Sequence, residues 1–139
     1  MKTALFAYLS AVFICGLSRA EDLKMPVVPS ITRKDLLTAM ISPEKCFSKV
    51  EIKEVTMGPK QSAPLHLHPC PVVGVVVEGI ITFQIEGQMV QHLKSGDAFF
   101  EPANVRVACF NNDGDVPARF LAFYLLGKDE NELVRMLNK

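Results

Sequence analysis

The sequence has no excess of charge of either sign. Its 139 residues include 15 lysines and arginines against 15 aspartates and glutamates, so the formal net charge at neutral pH is zero. Proteins that bind nucleic acid present a basic patch or stripe to the phosphates, and none is visible along this chain. We therefore expect no nucleic-acid partner. The length predicts one domain with one hydrophobic core.

The sequence also lacks an apolar run long enough to span a membrane, which takes roughly 18 residues or more. The apolar run Ala4–Leu17 is shorter, follows the basic residue Lys2, and leads to the small residues of a cleavage site that ends at Ala20. These features predict a signal peptide over residues 1–20 and a mature chain that begins near Glu21. We expect an exported protein, periplasmic or secreted, with no stable membrane insertion after cleavage.

Cysteine is scarce in the mature chain. Cys15 lies in the predicted signal peptide, and the bulky residues before it disfavour a lipoprotein, which needs small residues there. Cys46, Cys70 and Cys109 then remain, an odd number for an oxidising compartment. One disulfide with one free thiol and three free thiols are both open. If a disulfide forms, we expect it to join Cys46 and Cys70, with Cys70 exposed between two prolines.

Several common catalytic motifs are absent. The chain has no Gly-x-Ser-x-Gly nucleophile elbow, no phosphate-binding loop and no His-Glu-x-x-His pair. It also has no long-period repeat. Any chemistry must therefore come from another arrangement of residues.

Short strands separated by polar turns fill most of the chain, and no alternation of strands with helices interrupts them. This spacing favours an all-β sandwich or small barrel over residues 50–126. Residues 21–49 are predicted as an N-terminal arm with a short helix or strand over 32–41. Residues 127–139 are predicted as a C-terminal extension with a short helix over 130–137. The strand patterns cover 49–57, 66–68, 72–77, 80–85, 88–93, 98–101, 105–110 and 119–126.

Two of the three histidines, His66 and His68, stand one residue apart at the start of a β-branched apolar run. Alternate residues of a strand project to the same face, so both imidazoles should lie on one side. Two imidazoles on one face make half of a metal site. They could equally act as an acid or base without metal, or be hydrogen-bonded and inert.

The motifs around these histidines resemble those of the cupins. The run His66-x-His68, three residues, Val72, six residues, Gly79 is similar to the first cupin motif, and Gly96-Asp97, Glu101-Pro102 and Asn111 are similar to the second. The resemblance implies a double-stranded β-helix, or jelly-roll, barrel. It also implies a homodimer and a divalent metal, with iron, manganese, nickel, copper and zinc all compatible with imidazole ligands.

Two positions depart from the family pattern. The first motif normally has a glutamate ligand where this chain has Val72, and the second normally has a histidine where this chain has Val107. Glu101, a carboxylate in an apolar strand, either supplies the missing ligand or pairs with Arg106 or Arg119. Cys109 is either a further ligand or a buried thiol that fills the core, and we favour the core. His92 is interpreted as a surface residue.

The inward positions of the predicted barrel otherwise form an apolar pocket, lined by Val72, Phe83, Val107 and Cys109. Such a pocket suits a small molecule oriented by a few polar groups. Two functions remain open. The chain is either a non-catalytic module that binds a small molecule in the barrel, with a divalent metal held by His66 and His68 or with that metal lost, or a metal-dependent oxygenase, isomerase or lyase.

Overall fold

The computed structural model describes residues 31–137, and the predicted signal peptide lies outside this range. Strands are the only regular elements among the described residues, so the expected all-β class is confirmed. No described segment forms a helix of the length and apolarity that a membrane crossing needs. The strands are β1 (Lys49–Met57), β2 (His66–Leu67), β3 (Val72–Glu78), β4 (Ile80–Ile85), β5 (Gln91–Lys94), β6 (Ala98–Glu101), β7 (Arg106–Asn111), β8 (Ala118–Leu126) and β9 (Arg135–Met136).

The strands form two antiparallel sheets with the orders β1-β8-β3-β6 and β5-β4-β7-β2-β9. Consecutive strands often lie in different sheets, so the chain repeatedly crosses from one sheet to the other. Inward positions alternate with outward ones, as in β4, where Ile81, Phe83 and Ile85 are buried between more exposed neighbours. This arrangement is the jelly-roll barrel that the sequence motifs predict.

The core between the sheets is centred on four phenylalanines. Their rings lie 4.9 to 5.8 Å apart between centroids, in tilted and edge-to-face arrangements that contribute about 0.5–1.5 kcal/mol per pair beyond their burial. Gly74 of β3 lies against one of them, because a Cβ at this position would approach the Phe99 ring to 2.0 Å. The core phenylalanines are Phe83, Phe99, Phe110 and Phe120.

The predicted turns at Gly79 and Gly96 follow strand ends in the structure. Both glycines have positive φ angles, 80° and 88°, which a residue with a Cβ rarely adopts. At Gly79 a Cβ would also approach the Ala118 backbone to 2.8 Å. Both turns carry the chain from one sheet to the other, from β3 to β4 at Gly79 and from β5 to β6 at Gly96.

Both terminal segments differ from the prediction. Residues 32–41 form neither a helix nor a strand, and Leu36, Leu37 and Met40 are exposed rather than packed on one face as a stable helix requires. The expected C-terminal helix is replaced by β9, which pairs antiparallel with β2. The spacing of the apolar residues in 133–137 is compatible with a helix or a strand. The free backbone groups of β2 offer hydrogen bonds to this segment, and these favour the strand.

Of the two cysteine alternatives left open by the sequence, the described part of the chain has the three free thiols, Cys46, Cys70 and Cys109. Cys70 is fully buried rather than exposed as expected, whereas Cys46 is exposed. Burial also raises the pKa of the Cys70 thiol.

A buried asparagine ties the chain after β7 to the end of β1. The Asn112 side-chain amide donates to the carbonyls of Met57, Gly58 and Val116, and its Oδ1 accepts from the backbone N–H of Gly114. All four bonds serve backbone groups. Asn112 therefore stabilises two crossings between the sheets at once.

Substitution of Asn112 by alanine should lower the free energy of unfolding by about 1–3 kcal/mol, because it leaves buried carbonyls without a donor. Chemical denaturation measures this change. The control is Asn131→Ala, an exposed asparagine whose loss should change the free energy by less than about 0.5 kcal/mol. Equal effects of the two substitutions would contradict this role for Asn112.

Candidate metal centre

His66 and His68 lie at and just after β2, on the inside of the barrel. They are 6% and 5% exposed, and their ring centroids are 5.1 Å apart with the rings nearly perpendicular. Their common direction follows from strand alternation, as the sequence predicts. Both imidazoles are therefore buried close together, where a polar ring needs partners.

Each imidazole is oriented by a backbone carbonyl. His66 Nδ1 lies 2.7 Å from the carbonyl oxygen of Pro64, and His68 Nδ1 lies 2.6 Å from that of Leu133. A carbonyl oxygen only accepts hydrogen bonds, so Nδ1 carries the hydrogen in both rings. The lone pair of each neutral ring is then on Nε2. A carbonyl partner of this kind is what orients metal-bound histidines in proteins.

Glu101 reaches into the barrel at the end of β6. It is 3% exposed, and its Oε2 lies 3.1 Å from His68 Nε2. The pairing with Arg106 or Arg119 does not occur, because Arg106 contacts Glu86 and Arg119 contacts Glu54 and Glu78 on the surface. Of the two alternatives open from the sequence, the structure favours the ligand position.

The register of the sheets explains how Glu101 relates to the two departures from the cupin pattern. Val72 of β3 pairs directly with Glu101 of β6, so the carboxylate comes from the strand beside the usual position. Val107 of β7 pairs with His66, and both valines are buried. Glu101 therefore lies on the strand next to the position where the cupin pattern has its glutamate, and Val107 lies where that pattern has its third histidine.

The three side chains form a cluster able to hold a metal ion. One ligand atom from each of His66, His68 and Glu101 lies within 4.8 Å of the other two. With Nδ1 protonated, His68 Nε2 and the carboxylate oxygen are both acceptors, and two acceptors at 3.1 Å repel unless a proton or a cation lies between them. The donor set of two imidazoles and one carboxylate fits a divalent transition metal.

A cavity of about 270 Å³ opens beside this cluster. Its lining combines the cluster with side chains from β1, β7, β8 and β9. They are Val55, Thr56, Met57, Gln61, Ser62, Ala63, Pro64, His66, His68, Glu101, Phe110, Phe120, Ala122, Tyr124, Val134 and Met136.

None of the four predicted pocket residues lines this cavity. Val72, Phe83 and Val107 point inward as expected, but they are packed within the core. Cys109 faces away from the interior, because a bulge in β7 pairs Val107 with Ile85 and Cys109 with Gln84 and so inverts the alternation between them. Its thiol donates weakly to the carbonyl of Thr82.

Tyr124 is a site residue that the sequence analysis missed. It lies in β8 opposite Val72, and its ring centroid is 5.6 Å from that of His68. Burial, with the nearby negative charge of Glu101, raises the pKa of Tyr124 to about 12. Strand alternation from Phe120 through Ala122 would have identified this position as inward. His92, in contrast, is exposed as expected.

The charge of Glu101 controls the protonation of His68. Burial alone would lower the pKa of His68, but the hydrogen bond and charge of Glu101, together with the Leu133 carbonyl, outweigh it and raise the pKa above 6.5. Protonation of His68 therefore stabilises the metal-free fold. This contribution is complete below the unfolded-state pKa and is lost as the pH rises through the folded-state pKa.

The metal-free protein should thus lose stability from this pair as the pH rises above about 6.5. Chemical denaturation in the presence of a chelator, at several pH values, measures the slope. The variant His68→Asn should have a flatter profile than the wild type, whereas His92→Asn should keep the wild-type slope. A His68→Asn profile parallel to the wild type would show that the pair contributes nothing.

The two facing antiparallel sheets and the buried His66–His68–Glu101 cluster define the class of the protein. It is a double-stranded β-helix barrel with a centre capable of binding metal. The sequence model of the cupin domain matches residues 53–124, just over half of the chain. The chain belongs to the cupin family.

Solved structures of similar fold include enzymes and an uncharacterised protein. A DMSP lyase from Ruegeria pomeroyi matches with 21% identity and a TM-score of 0.54, over 63% of this chain and 42% of that one. Oxalate oxidase in complex with the substrate analogue glycolate gives 21% and 0.54, over 63% and 46%. An uncharacterised double-stranded β-helix protein from Klebsiella pneumoniae gives 21% and 0.54, over 65% and 76%.

At this level of identity the similarity establishes the fold alone. The matched region spans less than half of the lyase and of the oxidase. No curated protein sequence matches the chain significantly.

Proposed function

We propose that this protein binds a small molecule in its barrel through a divalent metal held by His66, His68 and Glu101. The observation that carries the proposal is the fixed orientation of the two imidazoles. The Pro64 carbonyl accepts a hydrogen bond from His66 Nδ1, and the Leu133 carbonyl accepts one from His68 Nδ1. The lone pair of each Nε2 atom can therefore bind a cation beside the buried Glu101 carboxylate.

A metal explains this arrangement better than a simple ion pair does. A proton shared between His68 and Glu101 would satisfy those two residues but would leave Nε2 of His66 unused. Among the described residues, every fully buried side-chain nitrogen or oxygen atom has a hydrogen-bond partner. The Nε2 atom of His66 has no such partner, so it is not fully buried and faces the cavity that His66 lines. Three protein ligands leave further coordination positions for water or an organic ligand.

The metal would act as a Lewis acid that polarises an oxygen of the bound molecule. The chain's own contribution is to hold the metal, to place the Tyr124 ring in the cavity against His68, and to surround the bound molecule with mostly apolar side chains. Iron, manganese, nickel, copper and zinc all fit imidazole and carboxylate ligands.

Catalysis is the second candidate function, and Tyr124 is the observation that favours it. A tyrosine hydroxyl beside a metal centre can donate a proton to a reacting oxygen, as an oxygenase, isomerase or lyase requires. The enzymes among the structural neighbours are consistent with this possibility. Turnover of a bound molecule by the metal-loaded protein, lost in Tyr124→Phe, would distinguish an enzyme from a binding protein.

Metal content tests the proposal directly. The mature protein, purified without chelator or affinity metal, should contain close to one divalent ion per chain by plasma mass spectrometry. His66→Ala, His68→Ala and Glu101→Gln should each reduce metal affinity by at least about tenfold, as the loss of one ligand predicts.

The matched control is His92→Ala, which removes the third histidine from the surface and should leave the metal content unchanged. Wild-type protein without metal, even after incubation with each of the five ions, would contradict the proposal. Unchanged metal in Glu101→Gln would remove Glu101 from the centre.

Export and homodimer formation complete the proposal. Export is supported by the signal-peptide pattern of residues 1–20. Dimer formation is supported by β1, which lies at the edge of its sheet within the described part of the chain. Two copies of β1 paired antiparallel about Ile52 would place Glu51 of each copy opposite Lys53 of the other, a favourable charge pairing.

Native mass spectrometry of the protein exported by its host tests both points in one measurement. We expect the mass of two chains that each begin near Glu21. A monomer would contradict the dimer, and a chain that retains residues 1–20 would contradict cleavage.

A further inference from the structure

The ionisable side chains in the described lining of the cavity do not include a permanently cationic group. His66, His68, Glu101 and Tyr124 are the ionisable side chains in its described lining, and no lysine or arginine is among them. The described lining therefore offers no lysine or arginine to an acidic ligand. Any negative charge on the ligand must be balanced by the metal centre itself.

The charge of the centre limits what it can balance. Two neutral imidazoles and one carboxylate around a divalent ion leave a net charge of about one positive unit. An uncompensated charge in a buried site is unfavourable, so an anionic ligand with one negative charge is preferred. A second negative charge on the ligand would meet no opposite charge in the described lining.

The rest of the lining is mostly apolar. Side chains from β1, β7, β8, β9 and the segment just before β9 surround the space next to the cluster, and Thr56, Gln61 and Ser62 add neutral polar groups. A charged far end of a ligand would therefore lose its hydration without gaining an opposite charge. The apolar side chains from these elements are Val55, Met57, Phe110, Phe120, Ala122, Val134 and Met136. The body of the ligand should therefore be apolar.

Tyr124 supplies a directional contact at the polar end of the cavity. Tyr124 of β8 pairs with Val72 of β3, the strand that follows the histidines in the chain. The Tyr124 ring lies against the His68 ring. None of the hydrogen bonds among the described side chains uses the Tyr124 hydroxyl. A tyrosine is protonated at neutral pH, so this hydroxyl is available as a donor to an anionic oxygen.

We propose that the site takes a small monoanionic oxygen ligand with an apolar body, a monocarboxylate or an enolate, and that the Tyr124 hydroxyl orients its anionic oxygen beside the metal. This inference rests on the proposed function, because it needs the metal centre to be present. It goes further by excluding dianions such as phosphates and dicarboxylates, and neutral amides, as preferred ligands.

Isothermal titration of the zinc-loaded protein with three matched probes tests the inference. Butyrate carries one charge, succinate has the same chain length with two charges, and butyramide has nearly the same shape without charge. We expect butyrate to bind at least about tenfold more tightly than either of the others.

Tyr124→Phe should weaken butyrate binding by about tenfold or more, because it removes a hydrogen bond to a charged group, and should leave the zinc content unchanged. The matched control is Thr82→Val, which removes a hydroxyl outside the cavity lining and should leave butyrate binding as in the wild type. Equal binding by wild type and Tyr124→Phe would overturn the orienting role.

The zinc content, measured before any probe is added, separates the two levels of failure. Protein that retains no zinc overturns the proposed function and this inference together. Zinc-loaded protein that prefers succinate, binds butyramide as well as butyrate, or binds no butyrate overturns the inference alone and leaves the metal centre in place.

Discussion

A nitrogen lone pair of His68 and a carboxylate oxygen of Glu101 face each other at 3.1 Å inside the barrel, and this contact needs a positive charge. Removing one partner from a buried charge pair typically lowers the free energy of unfolding by about 3–5 kcal/mol. Both groups must therefore stay in contact with each other or with a cation. The cation is a proton at low pH in the metal-free protein and, in our proposal, a divalent metal. The chain at β2 positions His68, the end of β6 positions Glu101, and the C-terminal segment supplies the Leu133 carbonyl that orients His68.

The barrel interior is divided between packing and binding. At one end the phenylalanine cluster fills the space between the sheets, and residues such as Val72 and Val107 complete it. At the other end Tyr124 and the histidines border the cavity. The cavity end holds the His68–Glu101 pair, whose protonation adds to the stability that the packed core supplies.

Strand patterns were sufficient to predict an all-β sandwich or small barrel, and the resemblance to the cupins supplied the jelly-roll architecture. Strand alternation placed His66 and His68 on one face, and the glycine turns marked the strand ends. Glu101 was identified because a carboxylate within an apolar strand needs a partner. What the sequence left open was which partner it takes, since that depends on the register of β6 against β3, a long-range pairing.

The wrong predictions share a physical cause. Alternation shows whether a side chain points inward, but it does not show whether the inside at that level is core or cavity, so Val72 and Phe83 were misassigned. One extra residue in β7 was enough to turn Cys109 outward. The C-terminal segment became a strand because β2 offered backbone partners, and these partners are distant in sequence.

The hydrogen bond from His68 to the Leu133 carbonyl joins residues that are 65 positions apart. During synthesis the histidines and Glu101 emerge well before Leu133, so His68 has no fixed tautomer until the late segment docks beside β2. In the proposed metal centre, the metal would therefore bind tightly only after the C-terminal segment has docked. Metal occupancy would then report completed folding as well as function.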